Sequence, residues 1–418
     1  MNNDQLMTRR CFMKSAAVAS AGVTLPSFLN NSIYSIMAQE DPDASAGDRI
    51  PGFKNNRVLV VVQLSGGNDG LNTVIPYRNK HYYNARPSLY VPKKKRIRVN
   101  EQFAFHENLK EIRDMYDRGM VSVINGVGYP NPSRSHFRSM KVWHTAAKSG
   151  EEVKERGWIG RYFDNCCDGQ GNHPSSAAGV NVGKDAPEAF KGNAGIGVSV
   201  QDPADFQWTG QNHGDDMESA FESMARSNQD NTGADNIDYL RQQTANFVMS
   251  SEEMHRSARR KRNKPSYPDT GLASDLEKVA GMIAAEMPTR VYYVSLGGFD
   301  THDNQKGRHD KLLETFSKAV HAFYKDLKMN DNAHRVTTMS FSEFGRRVEE
   351  NGSGGTDHGK AGPMFVIGDG INPGLHGKFA GIKPEQRENG DLKHTVDFRQ
   401  VYAGIMNGWF DVNPEQFL

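Results

Sequence analysis

The run Arg57-Val-Leu-Val-Val-Val-Gln-Leu64, closed by Ser65-Gly-Gly-Asn-Asp-Gly-Leu-Asn72, decides the fold. Its apolar residues are nearly continuous and rich in valine, with no polar alternation, so both faces of the strand must be buried. That is the pattern of a strand inside a parallel sheet. The glycine-rich polar stretch behind it reads as a loop at the strand's carboxyl end. The same grammar recurs down the chain. A helix is expected over Glu107–Arg118, stopping at Gly119, with a strand at Val121–Ile124. Helices follow from about Ser135 to Ala147 and from Trp158 to Asp164, then a strand at Ile196–Val200. Ser274–Met287 reads as an amphipathic helix and Arg290–Leu296 as a strand. Lys306–Leu327 places Leu312, Leu313, Phe316, Val320 and Phe323 at helical spacing, and Val336–Phe341 and Met364–Ile367 are two more strands. Strands alternating with helices predict an α/β fold, a mostly parallel central sheet with helices on both faces. One domain over 45–418 is expected, with a polar helical insertion around 215–268.

Composition narrows the function. The 418 residues carry 51 Lys+Arg against 50 Asp+Glu, a net charge of +1, which argues against a nucleic-acid binder driven by overall charge. Two basic runs, Lys93–Arg96 and Arg259–Arg262, show no interleaved aromatics in sequence and read as solvated faces. Three cysteines, one of them Cys11, exclude a disulfide scaffold and a Cys-rich metal module. Cys166 and Cys167 are adjacent, a strained geometry for a disulfide.

Residues 1–38 read as an address. Thr8-Arg9-Arg10-Cys11-Phe12-Met13-Lys14 before the mildly apolar Ala16–Leu25 has the form of a twin-arginine export signal, with cleavage expected after Ala38. The apolar stretch is too short to span a membrane, and no later run is long enough. The expected partner in export is the twin-arginine translocase, and the expected location is the periplasm or the exterior.

Ligands of open α/β sheets bind beyond the carboxyl ends of the strands. Five polar motifs fall there: Ser65–Asn72, Tyr129-Pro-Asn-Pro-Ser-Arg-Ser-His-Phe137, Gly297-Gly-Phe-Asp-Thr-His-Asp-Asn-Gln305, Ser342-Glu-Phe-Gly-Arg346 and Gly354-Gly-Thr-Asp-His-Gly359. They supply Asp69, Asp300, His302, Glu343 and His358, residue types that hold a divalent metal, with Asp357 expected to ligate or to orient His358. Zinc is the first expectation; manganese, magnesium and calcium are the others. Ser133, Arg134, Ser135 and His136 stand at a helix start, where free N–H groups suit an anion and where a serine can act as nucleophile or as a helix cap.

These motifs together resemble an exported bacterial family, domain of unknown function 1501, which is similar in fold to the alkaline phosphatase and sulfatase superfamily. The resemblance implies an alkaline-phosphatase-like fold. It also implies metal roles for Asp69, for Asp300 and His302 as a second position, for Glu343, and for His358 as a late histidine ligand. This chain departs from the pattern at Phe344, where a histidine is expected, and in the short spacing of Asp300 to His302. Pro130 stands at the cysteine position of the sulfatase motif, so a formylglycine enzyme is not expected. The expected function is an exported metal-dependent hydrolase of phosphate or sulfate esters, on a small-molecule or polymer-borne substrate. The alternative is a non-catalytic exported binding protein. A nucleotide-dependent oxidoreductase is disfavoured, because Asp69 would repel a pyrophosphate in the first loop.

Overall fold

The computed structural model describes residues 53, 55–148, 155–166, 174, 175, 177–193, 197–204, 251 and 254–418. The leader, Ile196, Cys167 and most of the expected insertion lie outside the described residues. Within it, residues 254–259 are helical.

The strands are β1 Val58–Leu64, β2 Val74–Ile75, β3 Arg96–Arg98, β4 Ala104–His106, β5 Val121–Gly128, β6 Gly179–Val182, β7 Val198–Val200, β8 Val291–Leu296, β9 Val336–Phe341, β10 Gly362–Gly368, β11 Gly374–His376 and β12 Val396–Asp397. The main sheet runs β11-β5-β10-β9-β1-β8-β6-β7, with β12 also on β5. The valine-rich β1 lies inside it, between β9 and β8. Val60 faces Tyr292 on one side and Thr338 on the other, parallel to both. Six of its seven residues are buried, as a strand without polar alternation requires.

The sheet is mostly parallel, and β10 is the exception, antiparallel to both β9 and β5. Two reversals restore the direction, so β5, β9, β1 and β8 all end at one edge. Helices cover both faces. Phe365 of β10 sits opposite Ser340 and meets Phe316 of the helix Gln305–Met329. The next residue of β9, Phe341, points the other way and stacks on Trp143 of the helix His136–Thr145. Trp158, at the start of the helix Trp158–Asn165, extends that aromatic layer by stacking on Tyr402.

Two local readings shift. The helix expected at Ser274 begins at Gly271, because Thr270 caps it by accepting from the Ala273 N–H. A small antiparallel sheet, β2-β4-β3, was not anticipated. Strands of two and three residues are too short to show a period.

Candidate metal centre

The shared edge of β1, β5, β8 and β9 gathers most of the expected residues, through tight contacts between loops. Gly66 has φ +119°, and a Cβ there would lie 2.3 Å from the Asp300 backbone nitrogen. Gly67 has φ +87°, and its Cβ would enter the Phe344 ring at 2.6 Å. Only glycine allows the loop after β1 to lie this close to the loops after β8 and β9.

Arg346 fastens the same loops. Its buried guanidinium donates to the carbonyls of Gly67 (2.8 Å), Gly66, Phe299 (2.9 Å) and Thr356 (2.8 Å), and to Asp300 Oδ1 (2.7 Å). Partial burial pushes the Asp300 carboxyl up, but the bonds from Arg346 and His358 outweigh it and hold the group well below the usual carboxylate range. Asp300 is therefore an anion at every physiological pH.

Three histidines point at that anion. His358 Nε2 lies 3.0 Å and His302 Nε2 3.1 Å from Asp300 Oδ1, and His136 Nε2 lies 3.4 Å from Oδ2. In each ring the other nitrogen is tied to an acceptor. His302 Nδ1 is 3.1 Å from Asp357 Oδ1, His358 Nδ1 is 2.7 Å from the Arg134 carbonyl, and His136 Nδ1 is 2.8 Å from Glu343 Oε1. Each ring is thus held at Nδ1 by an acceptor and turns its Nε2 toward Asp300. Yet His302 Nε2 and His358 Nε2 stand 2.9 Å apart. Ring nitrogens at that distance, beside a carboxylate, share either a proton or a metal ion. Donors at about 2.0–2.1 Å in a tetrahedral zinc site lie about 3.3 Å from one another, close to the separations here. Among the described residues, donor atoms of His136, Asp300 and His358 all lie within 4.8 Å of one another. An acceptor tied to the far nitrogen of each ring is the usual arrangement behind metal-bound histidines.

Phe344 forms the floor. Its ring, buried, lies 4.6 Å from the His358 ring centroid and 4.9 Å from that of His136. Where a further ligand was expected, an apolar face supports two histidines instead.

Four expected roles change. Asp69 is fully buried against Arg86 at 2.5 Å and also accepts from Gln305 at 2.5 Å. Burial raises its carboxyl, but Arg86 more than compensates and holds it low. Arg86 also donates to the carbonyls of Arg347 (2.8 Å) and Val348 (2.9 Å). Asp69 thus anchors the hairpin that carries His358 rather than facing the histidines. Beneath it, His309 lies 3.0 Å from Asn68 Oδ1, and burial pushes its pKa down to about 4, so it is neutral. Glu343, 1% exposed, accepts from the Gly66 N–H (2.9 Å) and from His136, so it orients a ring. Asp357 does the same for His302, its carboxyl held low chiefly by the hydrogen bond from Asn351. Arg134, expected to meet an anion, directs its guanidinium onto the fully buried Asp391 and offers its carbonyl to His358.

His136 moves the other way, from the expected anion site into the cation-binding group. Ser133 Oγ accepts from the Ser135 N–H at 3.2 Å, a local turn bond. Ser135 is exposed at the N-cap of its helix, and its hydroxyl makes no capping bond. It lies between the two residues, Arg134 and His136, that touch the histidine cluster. Sequence reasoning assigned no role to Arg86, Gln305 or Arg346. Arg346 and Gln305 stood inside motifs already singled out; Arg86 has no local signal.

No curated protein matches the sequence. Solved structures similar to the chain include PsFucS1 sulfatase from Pseudoalteromonas sp. (9% identity, TM-score 0.37, covering 95% of this chain and 74% of that one). Another is a protein in the alkaline phosphatase superfamily from Vibrio parahaemolyticus (8% identity, TM-score 0.35, covering 84% and 71%). A third is the lipoteichoic acid synthase LtaP from Listeria monocytogenes (10% identity, TM-score 0.35, covering 83% and 73%). The family model described as "Protein of unknown function (DUF1501)" matches residues 122–413, most of the sheet and all three histidines, and the chain belongs to that family.

Proposed function

We propose that the chain is an exported, metal-dependent hydrolase of phosphate or sulfate esters, on small-molecule or polymer-borne substrates. Its divalent cation would be held by His136, Asp300, His302 and His358. The observation that carries the reading is the meeting of two imidazole nitrogens, His302 Nε2 and His358 Nε2, beside the Asp300 carboxylate. Among zinc, manganese, magnesium and calcium, imidazole-rich donors favour zinc, since magnesium and calcium select oxygen. A divalent cation at this place supplies Lewis-acid polarisation of an ester oxygen and stabilises the charge that develops there.

The chain's own residues supply the rest. Asp357, Glu343 and the Arg134 carbonyl fix the three rings. The amino end of the helix His136–Thr145 offers N–H groups and a positive dipole end to the anionic part of an ester. Of the two serines, Ser135 is the better nucleophile candidate, because the Ser133 oxygen already accepts a main-chain N–H. Twin-arginine export to the periplasm or the exterior belongs to the same proposal. Among the described residues no helix is long and apolar enough to cross a membrane.

One observation favours the alternative of a non-catalytic binding protein: among the described residues, neither serine hydroxyl bonds to a histidine or carboxylate that would take its proton. A panel of chromogenic phosphate and sulfate esters decides between them, run on mature protein with and without added zinc. Turnover that is lost on chelation and restored by metal is the expected result. Stoichiometric metal with no turnover of any ester would instead establish the binding protein.

A further inference from the structure

Between Gly70 and Asn100 the chain contains no Asp or Glu, but eight Lys and Arg, in a protein whose charges otherwise balance. Two of the eight are paired: Arg86 with Asp69, and Lys95 with Asp310 and Glu107. The remaining six, Arg78, Lys80, Lys93, Lys94, Arg96 and Arg98, form no ion pair among the described residues, and none is buried. The small sheet and the turn before it gather four of them. Arg96 and Arg98 are two apart on β3 and so share one of its faces. Lys93 and Lys94 lie in the turn that leads into β3.

Aromatic rings separate these charges, contrary to the expectation from sequence. The Arg96 guanidinium lies over the Tyr77 ring at 5.1 Å and donates to the Tyr83 hydroxyl at 2.6 Å. Tyr83 meets Tyr90 edge-on at 5.5 Å, and Tyr90 is 37% exposed. The rings come from the segment that precedes the lysine run, and only folding brings them beside it. The surface also adjoins the elements of the metal centre. The segment leads through Arg86 to Asp69, and the N–H groups of Ser88 and Leu89 donate to Glu350, in the hairpin that carries Asp357 and His358.

We infer that this face docks an anionic polysaccharide, whose sulfate or carboxylate groups meet Lys93, Lys94, Arg96 and Arg98. Charge complementarity selects a polyanion. Single-stranded nucleic acid fits less well, because its binding draws on exposed ring faces for base stacking. Here Arg96 covers Tyr77, and Tyr83 is flanked by Tyr82 and Tyr90. A sugar polymer needs only spaced charges and hydrogen-bond donors. The inference rests on the polymer-borne form of the proposed substrate, and docking itself requires no turnover.

The test is calorimetric titration of the mature chain with dextran sulfate, neutral dextran and a single-stranded oligonucleotide, in chelator so that no ester is cleaved. Dextran sulfate is expected to bind and neutral dextran not to. The exposed-residue variant K93Q/K94Q/R98Q is expected to weaken binding by about tenfold at 0.1 M salt and to flatten the salt dependence, as fewer counterions are released. Charge reversal at Lys93 and Lys94 should enlarge the loss. R256Q/R259Q, altering exposed arginines of the other basic region, should bind as the parent does. Unchanged binding by the triple variant, an equal loss in R256Q/R259Q, or an oligonucleotide bound as tightly as dextran sulfate would each overturn the inference. Docking without ester turnover would leave this inference standing and remove the hydrolase; turnover without docking would do the reverse.

Discussion

Replacing Asp300 by Asn is expected to lower zinc affinity by more than a hundredfold and to bring any ester turnover to background. Asp300 is the one carboxylate that all three Nε2 atoms face. Its negative charge favours a cation at the point where the three Nε2 atoms converge. Asparagine keeps an oxygen but removes the charge, and leaves the Arg346 guanidinium without its counter-ion. Asp357→Asn is the matched comparison. It alters only the partner that orients His302, and losses of roughly 10–100-fold in metal affinity are usual for such partners. Competition against a chromophoric chelator ranks the two variants. Equal affinities for the Asp300 and Asp357 variants would show that Asp300 is no ligand.

Arg346→Met should destabilise the fold by about 3 kcal/mol, chiefly through the buried main-chain acceptors it leaves without a donor, since its ionic partner Asp300 is half exposed. Arg346 is 1% exposed and joins the loops after β1 and β8 to the hairpin bearing Thr356. Methionine fills similar volume but leaves four carbonyls without that donor, and an unsatisfied buried acceptor costs about 1–3 kcal/mol. Part of that loss will be recovered by water, which is why the sum is not expected in full. Chemical denaturation measures the difference. A midpoint within error of the parent's would show that glycine-mediated packing alone holds the loops together. Arg346→Lys should fall between, since an ammonium keeps the charge but loses the planar fork.

The sheet was largely legible because β1 is buried on both faces and announces it in a nearly continuous apolar run, and β8 and β9 are rich in β-branched and aromatic residues. The edges were not: β11 and β12 have three and two residues, and nothing in Met364–Ile367 reveals that β10 runs against its neighbours. Residues of the site were legible as types at strand ends, because that edge is where such folds place polar loops. Their roles were not, since a carboxylate in sequence looks the same whether it meets a cation, an arginine or an imidazole. Asp69 and Glu343 were misread for that reason. Each is matched by a partner distant in sequence, Arg86 for one and His136 for the other. His136 was read as part of an anion site because its neighbours suit a helix start; only the fold turns its ring toward Asp300. The basic segment was misread similarly, because Tyr77 and Tyr83 approach Arg96 only through the small sheet.

Metal analysis of mature protein, stripped by chelation and reloaded with zinc, tests the central claim most directly. One equivalent per chain is predicted. The double variant H302A/H358A, whose side chains are 45% and 19% exposed, is predicted to fold and to take up none. A parent chain that binds no divalent ion, or a double variant that binds it as well as the parent, would contradict the account.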